Sequence, residues 1–388
     1  MKILYHHRTR AEDAQGVHIN SLCQAFMRLG HKVNVVGPVK SGNKYADKEN
    51  NKDAGNRPTV VMGFAVPQWL YELLALGYNV YGFMILCLSI QRDRPDLIYE
   101  RYAIFNVAGR LASGVYKIPF VLEVNAPLSL EMQKYGQLKL CGLARKIEDW
   151  LCSSSTKTVV VSDKLREIIE KRGVPHKQFL VIHNGVDRKI FNPQIDGMQI
   201  RSELGLSDYF VVGFVGWMRS WHGIDLLIEA ANILHDEIPG LRVLLVGDGP
   251  AVKQLTEQVN KLKLEEKVIF TGSVSRKQVP KYIAAMDVAI QPNVTEYASP
   301  IKLFEYVALA KAVIAPRQDN IREVVEDGQN AILFTPGNSS EIADCIRKLN
   351  ANRSLMQEIS KNAGCLINDK GYYWEENACR VLDAIGLG

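Results

Sequence analysis

The chain reads as an α/β protein built of two doubly wound, Rossmann-like halves in series. Three observations predict this. Short apolar runs rich in Val, Ile and Leu recur along the chain without polar alternation, as in parallel strands covered on both faces. Stretches of helical periodicity separate them. The alternation weakens after "HNGVDRKIFNP" and then restarts, so each half holds its own series. At 388 residues the chain is long for one hydrophobic core and suits two domains.

"KILYH" is a first strand and "AEDAQG" (Ala11 to Gly16) a loop. "VHINSLCQAFMRLG" is a helix, with Val17, Leu22, Phe26 and Leu29 near helical spacing and Gly30 as its stop. "KVNVVG" returns as a strand and completes a βαβ unit. "DLIYE", "PFVLEV", "TVVVS" and "FLVIHN" supply further strands. In the second half "DYFVVGFVG" is a strand and "GIDLLIEAANILHDE" an amphipathic helix. "LRVLLVGDG", "KVIFTG", "MDVAIQP" and "KAVIAP" are strands alternating with helices. The halves join near residues 187–205, and ligands of such folds bind at the carboxyl ends of the strands, in the cleft.

Composition excludes several classes. Hydrophobic residues at 47% and charged residues at 23% are ordinary for a soluble globular protein. The seven Cys are scattered, odd in number and include no CxxC pair. That argues against a disulfide framework or zinc site and for reduced thiols in a cytoplasmic protein. The start, "MKILYHHRTR", reads as a strand and not a signal peptide. The most apolar stretch, Trp69 to Ile90, has about the length that spans a bilayer, but Glu72, Gly77, Asn79 and Gly82 interrupt it. Three readings stay open for it: a span, a buried helix, or a helix on a membrane surface. Residues 1–190 hold 27 Lys+Arg against 17 Asp+Glu, and the rest of the chain 20 against 25. A basic half attracts anionic lipid or a phosphate-bearing acceptor, or presents a solvated basic surface.

No GxxxxGK[ST], no GxGxxG after the first strand, no HExxH, no GxSxG and no Asp-x-Asp occurs. A phosphate must therefore be held by Lys, Arg and helix ends. "FVGWMRSWHGIDLLIEA" places Arg219 in a strand-to-helix loop, with Gly223 and Ile224 opening a helix whose N–H groups face an anion. "ASPIKLFEY" repeats the logic. Ser299 suits a cap and Pro300 the first helical position. Lys302 and Glu305 share a face. A Lys at a helix start opposes the dipole unless an anion sits there, and a Glu one turn on can accept two ribose hydroxyls. Each site taken alone also reads as surface chemistry, Arg219 as a loop Arg and Lys302 with Glu305 as an ion pair. Trp217 and Trp221 bracket Arg219, either packing or stacking on a ligand.

In order along nearly the whole chain, "LGHKVNVVGP", "PDLIYERY", "VVVSDKL", "VIHNGVD", "FVGWMRSWHGIDLLIEA", "LLVGDGP", "VIFTGSV" and "SPIKLFEYVALAKAVIA" resemble the nucleotide-sugar-dependent, retaining glycosyltransferases of family 4. The resemblance implies the GT-B architecture. Residues 1–187 would form an acceptor domain, 188–371 a donor domain, and "YYWEENACRVLDAIG" the helix that crosses back, over 372–388. It implies transfer of a sugar from a nucleoside diphosphate with retention, without a metal or other cofactor. The partners would be a nucleotide-sugar donor and a glycan or lipid-linked acceptor, and no nucleic acid; the basic first half and the Trp69–Ile90 segment, read by themselves, add an anionic membrane surface, the inner face of the membrane, as a further partner.

Arg219 and Lys302 would serve the leaving diphosphate, and Glu305, the last Glu of an E-x7-E motif, the ribose. Gly16, Gly216, His222, Gly247, Val274, Ser299, Pro300 and Ile301 complete the nucleotide contacts. His222 stands where the family has Lys and reads as a weaker, pH-sensitive cation. The first Glu of the motif falls on Tyr297, with Glu296 one place early and Ala298 beside it. Asn125, flanked by Glu123, stands where the family often has His. Asn125, Gln15, Glu296, Tyr297 and Ala298 are thus the acceptor or donor-sugar candidates. His18, beside Gly16, is either the catalytic imidazole or a structural one. An epimerase of the same fold, or a catalytically weak sugar- or lipid-binding scaffold, is the alternative.

Overall fold

A computed structural model describes residues 1–9, 13–37, 60–61, 64–65 and 67–388. They form two compact units. One comprises the described residues from Met1 to His183 together with Trp374–Gly388; the other is Asn184–Tyr373. The break at His183/Asn184 precedes the expected joint, because residues 198–203 already form a helix of the second unit.

The first unit runs β1 (Lys2–His6), α1 (Asp13–Arg28), β2 (Lys32–Val36), a short antiparallel pair β3 (Val60–Val61) and β4 (Phe64–Ala65), α2 (Gln68–Asp93), β5 (Leu97–Arg101), α3 (Ala108–Tyr116), β6 (Phe120–Val124), α4 (Leu128–Lys134), α5 (Cys141–Ser154), β7 (Lys157–Val160), α6 (Asp163–Glu170) and β8 (Phe179–Val181). The second unit runs α7 (Met198–Glu203), β9 (Phe210–Val215), α8 (Ile224–Ile233), β10 (Leu241–Val246), α9 (Val252–Lys261), β11 (Val268–Phe270), α10 (Val279–Ala284), β12 (Val288–Ile290), α11 (Ile301–Ala308), β13 (Ala312–Pro316), α12 (Asp319–Arg322), β14 (Ile332–Phe334), α13 (Ser339–Ala351) and α14 (Arg353–Lys370). The last helix, α15 (Trp374–Ala384), packs on α1 in the first unit.

Each unit holds a six-stranded sheet whose described pairs are all parallel, in the orders β2-β1-β5-β6-β7-β8 and β11-β10-β9-β12-β13-β14. The strand order reverses between β1 and β5 in the first unit and between β9 and β12 in the second. Such switch points leave a crevice at the carboxyl ends of the strands. Along β9, Val212 and Phe214 enter one buried cluster and Val211 and Val215 the other. This two-sided burial is why the strands read as unbroken apolar runs. Each such side chain, fully buried, contributes about 1.5–3 kcal/mol.

Two local expectations change. Helix α1 starts at Asp13, so Gln15 and Gly16 lie in its first turns and not in a loop. A helical glycine costs only about 1 kcal/mol relative to alanine, and the buried face of Ile19, Leu22, Cys23 and Phe26 holds the helix together. The Trp69–Ile90 stretch is one helix, α2, long and apolar enough to cross a membrane by length and composition. It is packed on one side only. Ala75 and Leu86 are buried, while Trp69, Leu73, Val80, Tyr81, Met84 and Leu88 are exposed. All seven cysteines are free.

Candidate active site

The loop after β9 turns at Gly216 (φ 143°) and reaches α8 through Arg219, His222 and Gly223. The loop after β10 turns at Gly247 (φ 127°), where a Cβ would lie 2.2 Å from the Gly216 carbonyl oxygen, so only glycine permits the approach. Gly247 N–H donates to the Gly272 carbonyl at 3.0 Å, which brings the end of β11 alongside, with Val274 two residues on and half-buried. Helix α8 starts at Gly223 (φ 68°) without a side-chain cap, which leaves its first N–H groups for another acceptor.

Across the switch point the loop after β12 leads into α11. Pro300 is the cap residue of α11 rather than its first helical residue, and no side chain caps the helix. The Ser299 hydroxyl instead accepts from Asn184 N–H at 3.0 Å, while Asn184 Nδ2 donates to the Ser299 carbonyl at 2.5 Å. Ile301 therefore opens a second helix with uncapped N–H groups. Lys302 follows. Its ammonium sits 4.1 Å from the Phe214 ring centroid, and a Cβ at Gly216 would come within 3.1 Å of it. The Tyr306 hydroxyl accepts from Val215 N–H at 3.0 Å, which fixes α11 against the end of β9.

Charge distinguishes this place. Burial lowers the Lys302 ammonium to about 7, with Glu305 acting against the shift. Burial, then the charges of Lys302 and Arg219, push the His222 imidazole down to about 2. Its Nδ1 accepts from Arg219 N–H at 3.3 Å. The expectation that His222 supplies a titratable cation is therefore corrected: it is neutral near neutral pH and offers hydrogen bonds only. The Arg219 guanidinium lies 4.9 Å from the ring centroid of exposed Trp221, whose carbonyl accepts from Asn293 Nδ2 at 3.1 Å. Trp217 Nε1 is buried without an acceptor among the described residues.

Glu305 is buried, and the side chain bound to it is Arg276, not Lys302. The alternative reading of Lys302 and Glu305 as an ion pair does not hold, because Arg276 reaches the carboxylate from the loop after β11. The Arg276 guanidinium also rests 4.7 Å from the Phe191 ring centroid. Sequence reasoning missed Arg276, since nothing local in "VSRKQ" marks it and its partner lies 29 positions on. Of the donor-sugar candidates, Glu296 is exposed and Tyr297 and Ala298 are half-buried. Their loop is pinned from α12: Asn320 Nδ2 donates to the carbonyls of Thr295 at 3.1 Å and Ala298 at 2.7 Å.

The remaining candidates belong to the first unit. His18 is buried, edge-on to Trp374, with Nδ1 3.0 Å from Arg101 and 3.3 Å from Glu123. Burial lowers its imidazole to about 4, so at neutral pH it is uncharged and accepts from Arg101. Glu123 accepts from Arg101 at 2.7 Å, Tyr99 at 2.7 Å and Asn125 at 2.5 Å. Burial pushes the Glu123 carboxyl up, but its partners outweigh this and hold it below its ordinary value. With His18 neutral, Arg101 is the cation that matters. His6 and Glu100 form a second buried pair beside it. Gln15 is exposed and Gly16 buried, both on α1.

Comparison with known proteins agrees with this architecture. The family model for Glycosyltransferase Family 4 matches residues 15–189, and that for Glycosyl transferases group 1 matches residues 198–364. The chain is 24% identical over 383 residues to the alpha-monoglucosyldiacylglycerol synthase of Acholeplasma laidlawii, covering 93% of this chain and 91% of that one. It is 25% identical over 277 residues to the sulfoquinovosyl transferase SQD2 of Arabidopsis thaliana, 70% of this chain but only about half (51%) of that protein. Among solved structures, Anabaena HepE superposes with a TM-score of 0.73 at 21% identity over 100% of both chains. The sucrose-phosphate synthase of Thermosynechococcus elongatus reaches 0.76 at 17%, covering 99% of this chain and 98% of that one. The two family models together take in most of the chain, which belongs to glycosyltransferase family 4 and has the GT-B fold.

Proposed function

We propose that the protein transfers a sugar from a nucleoside-diphosphate sugar to a lipid-linked or cell-surface glycan precursor, as a retaining hexosyltransferase that needs no metal. The observation that carries this reading is Lys302, held against the Gly216 turn beside two helix starts that lack side-chain caps. A diphosphate suits that place: it accepts from free N–H groups and meets both Lys302 and the fork of Arg219. Glu305, one turn along α11, accepts the ribose hydroxyls after giving up Arg276, and the backbone at Val274 faces the base. Structures of HepE hold UDP and UDP-glucose, so uridine nucleotides are the first donors to test.

In the reaction the bond from the anomeric carbon to the diphosphate oxygen breaks as the acceptor oxygen bonds to that carbon and sheds its proton. Negative charge grows on the leaving oxygen. Lys302, Arg219 and the helix N–H groups stabilise it more than they stabilise the ground state, which is what lowers a barrier. The name of the Acholeplasma relative, a diacylglycerol glucolipid synthase, supports a lipid-bearing acceptor. We assign that acceptor to the basic Met1–His183 unit.

Product analysis with labelled donor tests the reading. The expected product is a glycosylated acceptor with the donor's anomeric configuration, formed equally well in EDTA. An interconverted free nucleotide sugar with no acceptor product would make the chain an epimerase. Turnover abolished by EDTA and restored by Mg²⁺ would overturn the metal-free account.

A further inference from the structure

Helix α2 is inside out. Its polar side chains Glu72 and Asn79 face the protein and are satisfied there. Glu72 is 1% exposed and accepts from the N–H groups of Lys139 and Leu140, each at 2.7 Å, at the start of α5. Asn79 accepts from Val107 and Ala108 N–H at 2.8 and 3.1 Å, at the start of α3, and donates to the Leu76 and Phe105 carbonyls. Gly82 lies against the Ala108 methyl. The opposite face carries Trp69, Leu73, Val80 (69% exposed), Tyr81, Met84 and Leu88 (64%), with no charged side chain exposed between Gln68 and Arg92. Exposed Leu111 and Val115 of α3, which packs on α2, widen it.

We infer that this face of α2 and α3 docks the protein on an anionic lipid bilayer, with α2 lying along the surface. Length alone would allow a span, since 26 residues of helix extend about 39 Å. Two buried caps on α5 and α3 tie the helix to the unit along one side, so only its outer face is free to meet lipid. Trp and Tyr on an apolar strip suit the interfacial region. Charge complements it. Exposed Lys139, whose N–H donates to Glu72, lies beside the start of α2, exposed Lys117 closes α3 beside its far end, and residues 1–190 hold 27 Lys+Arg against 17 Asp+Glu. A single apolar helix face without these cations would fit a second copy of the chain equally well. The inference deepens the lipid-bearing acceptor proposed above and does not depend on how the donor is held.

The test uses the full chain and a Val80→Glu/Met84→Glu double variant, both sites being exposed and outside the candidate active site. Wild type should cosediment with phosphatidylcholine–phosphatidylglycerol vesicles, weakly with pure phosphatidylcholine, and partly even near 1 M salt, where screening is nearly complete. The variant should lose about tenfold or more in vesicle affinity, with unchanged Tm and an unchanged thermal shift on adding UDP. Equal vesicle binding by both proteins, or none by wild type, would overturn the inference. So would a wild-type dimer that the variant converts to a monomer, since the face would then belong to a second copy. A missing UDP shift in both proteins would count against the donor reading and leave the docking result to stand.

Discussion

The two units place polar chemistry at the same address, the carboxyl ends of strands beside a switch point, and treat it oppositely. In the first unit Glu123 neutralises Arg101, with Tyr99, Asn125 and His18 completing a closed set. In the second unit Lys302 has an aromatic face and a glycine turn for neighbours, and no carboxylate within ion-pair distance among the described residues. A half-buried cation kept at low proton affinity marks a place where an anion arrives later. The same fold thus makes one self-satisfied network and one prepared binding site, and the difference lies in where the carboxylate points.

The largest effect should come from breaking the closed set. Arg101→Met leaves Glu123 buried without its cation and should cost about 3–5 kcal/mol of stability, read by chemical denaturation. Arg101→Met/Glu123→Gln should recover part of that loss. If Arg101→Met leaves stability unchanged, the network is not what closes the first unit. Next, Arg219→Ala and Lys302→Ala should each lower kcat by about 10²-fold or more with little change in Tm. Variants that keep wild-type kcat would remove these side chains from the reaction. Arg276→Ala sharpens the contrast more gently. If Arg276 occupies Glu305 only until ribose displaces it, its loss should tighten nucleoside diphosphate binding by up to about fivefold, the scale of a partly exposed ion pair. Weaker binding would make Arg276 part of the ligand's own site.

Much of the second unit was legible in sequence because its strands, its glycine turns and its cations are contiguous signals: "FVGWMRSWHG" and "SPIKLFEY" each carry a loop, a helix start and a cation. What stayed hidden is what distant segments contribute. Asn184 claims Ser299 from 115 positions away, and Arg276 claims Glu305 from the loop after β11. The protonation of His222 depends on Lys302, 80 residues on, and on burial that periodicity cannot measure. In α2 the sequence displayed Glu72 and Asn79 as interruptions of an apolar run. Only the packing shows them turned inward as caps, with the apolar residues left outside.

The central claim, that Lys302 waits for a diphosphate, is tested most directly by the proton balance of UDP binding. Near pH 7 the free ammonium should be about half protonated. A bound diphosphate raises its proton affinity, so binding should take up about half a proton at pH 7, and affinity should fall as pH rises through that range. Titration calorimetry in buffers of different ionisation heat measures the uptake, and Lys302→Met serves as the reference for protons exchanged by UDP itself. The account predicts an uptake in wild type exceeding that of Lys302→Met, together with weaker binding by the variant. Equal proton exchange and equal Kd in the two proteins would contradict it.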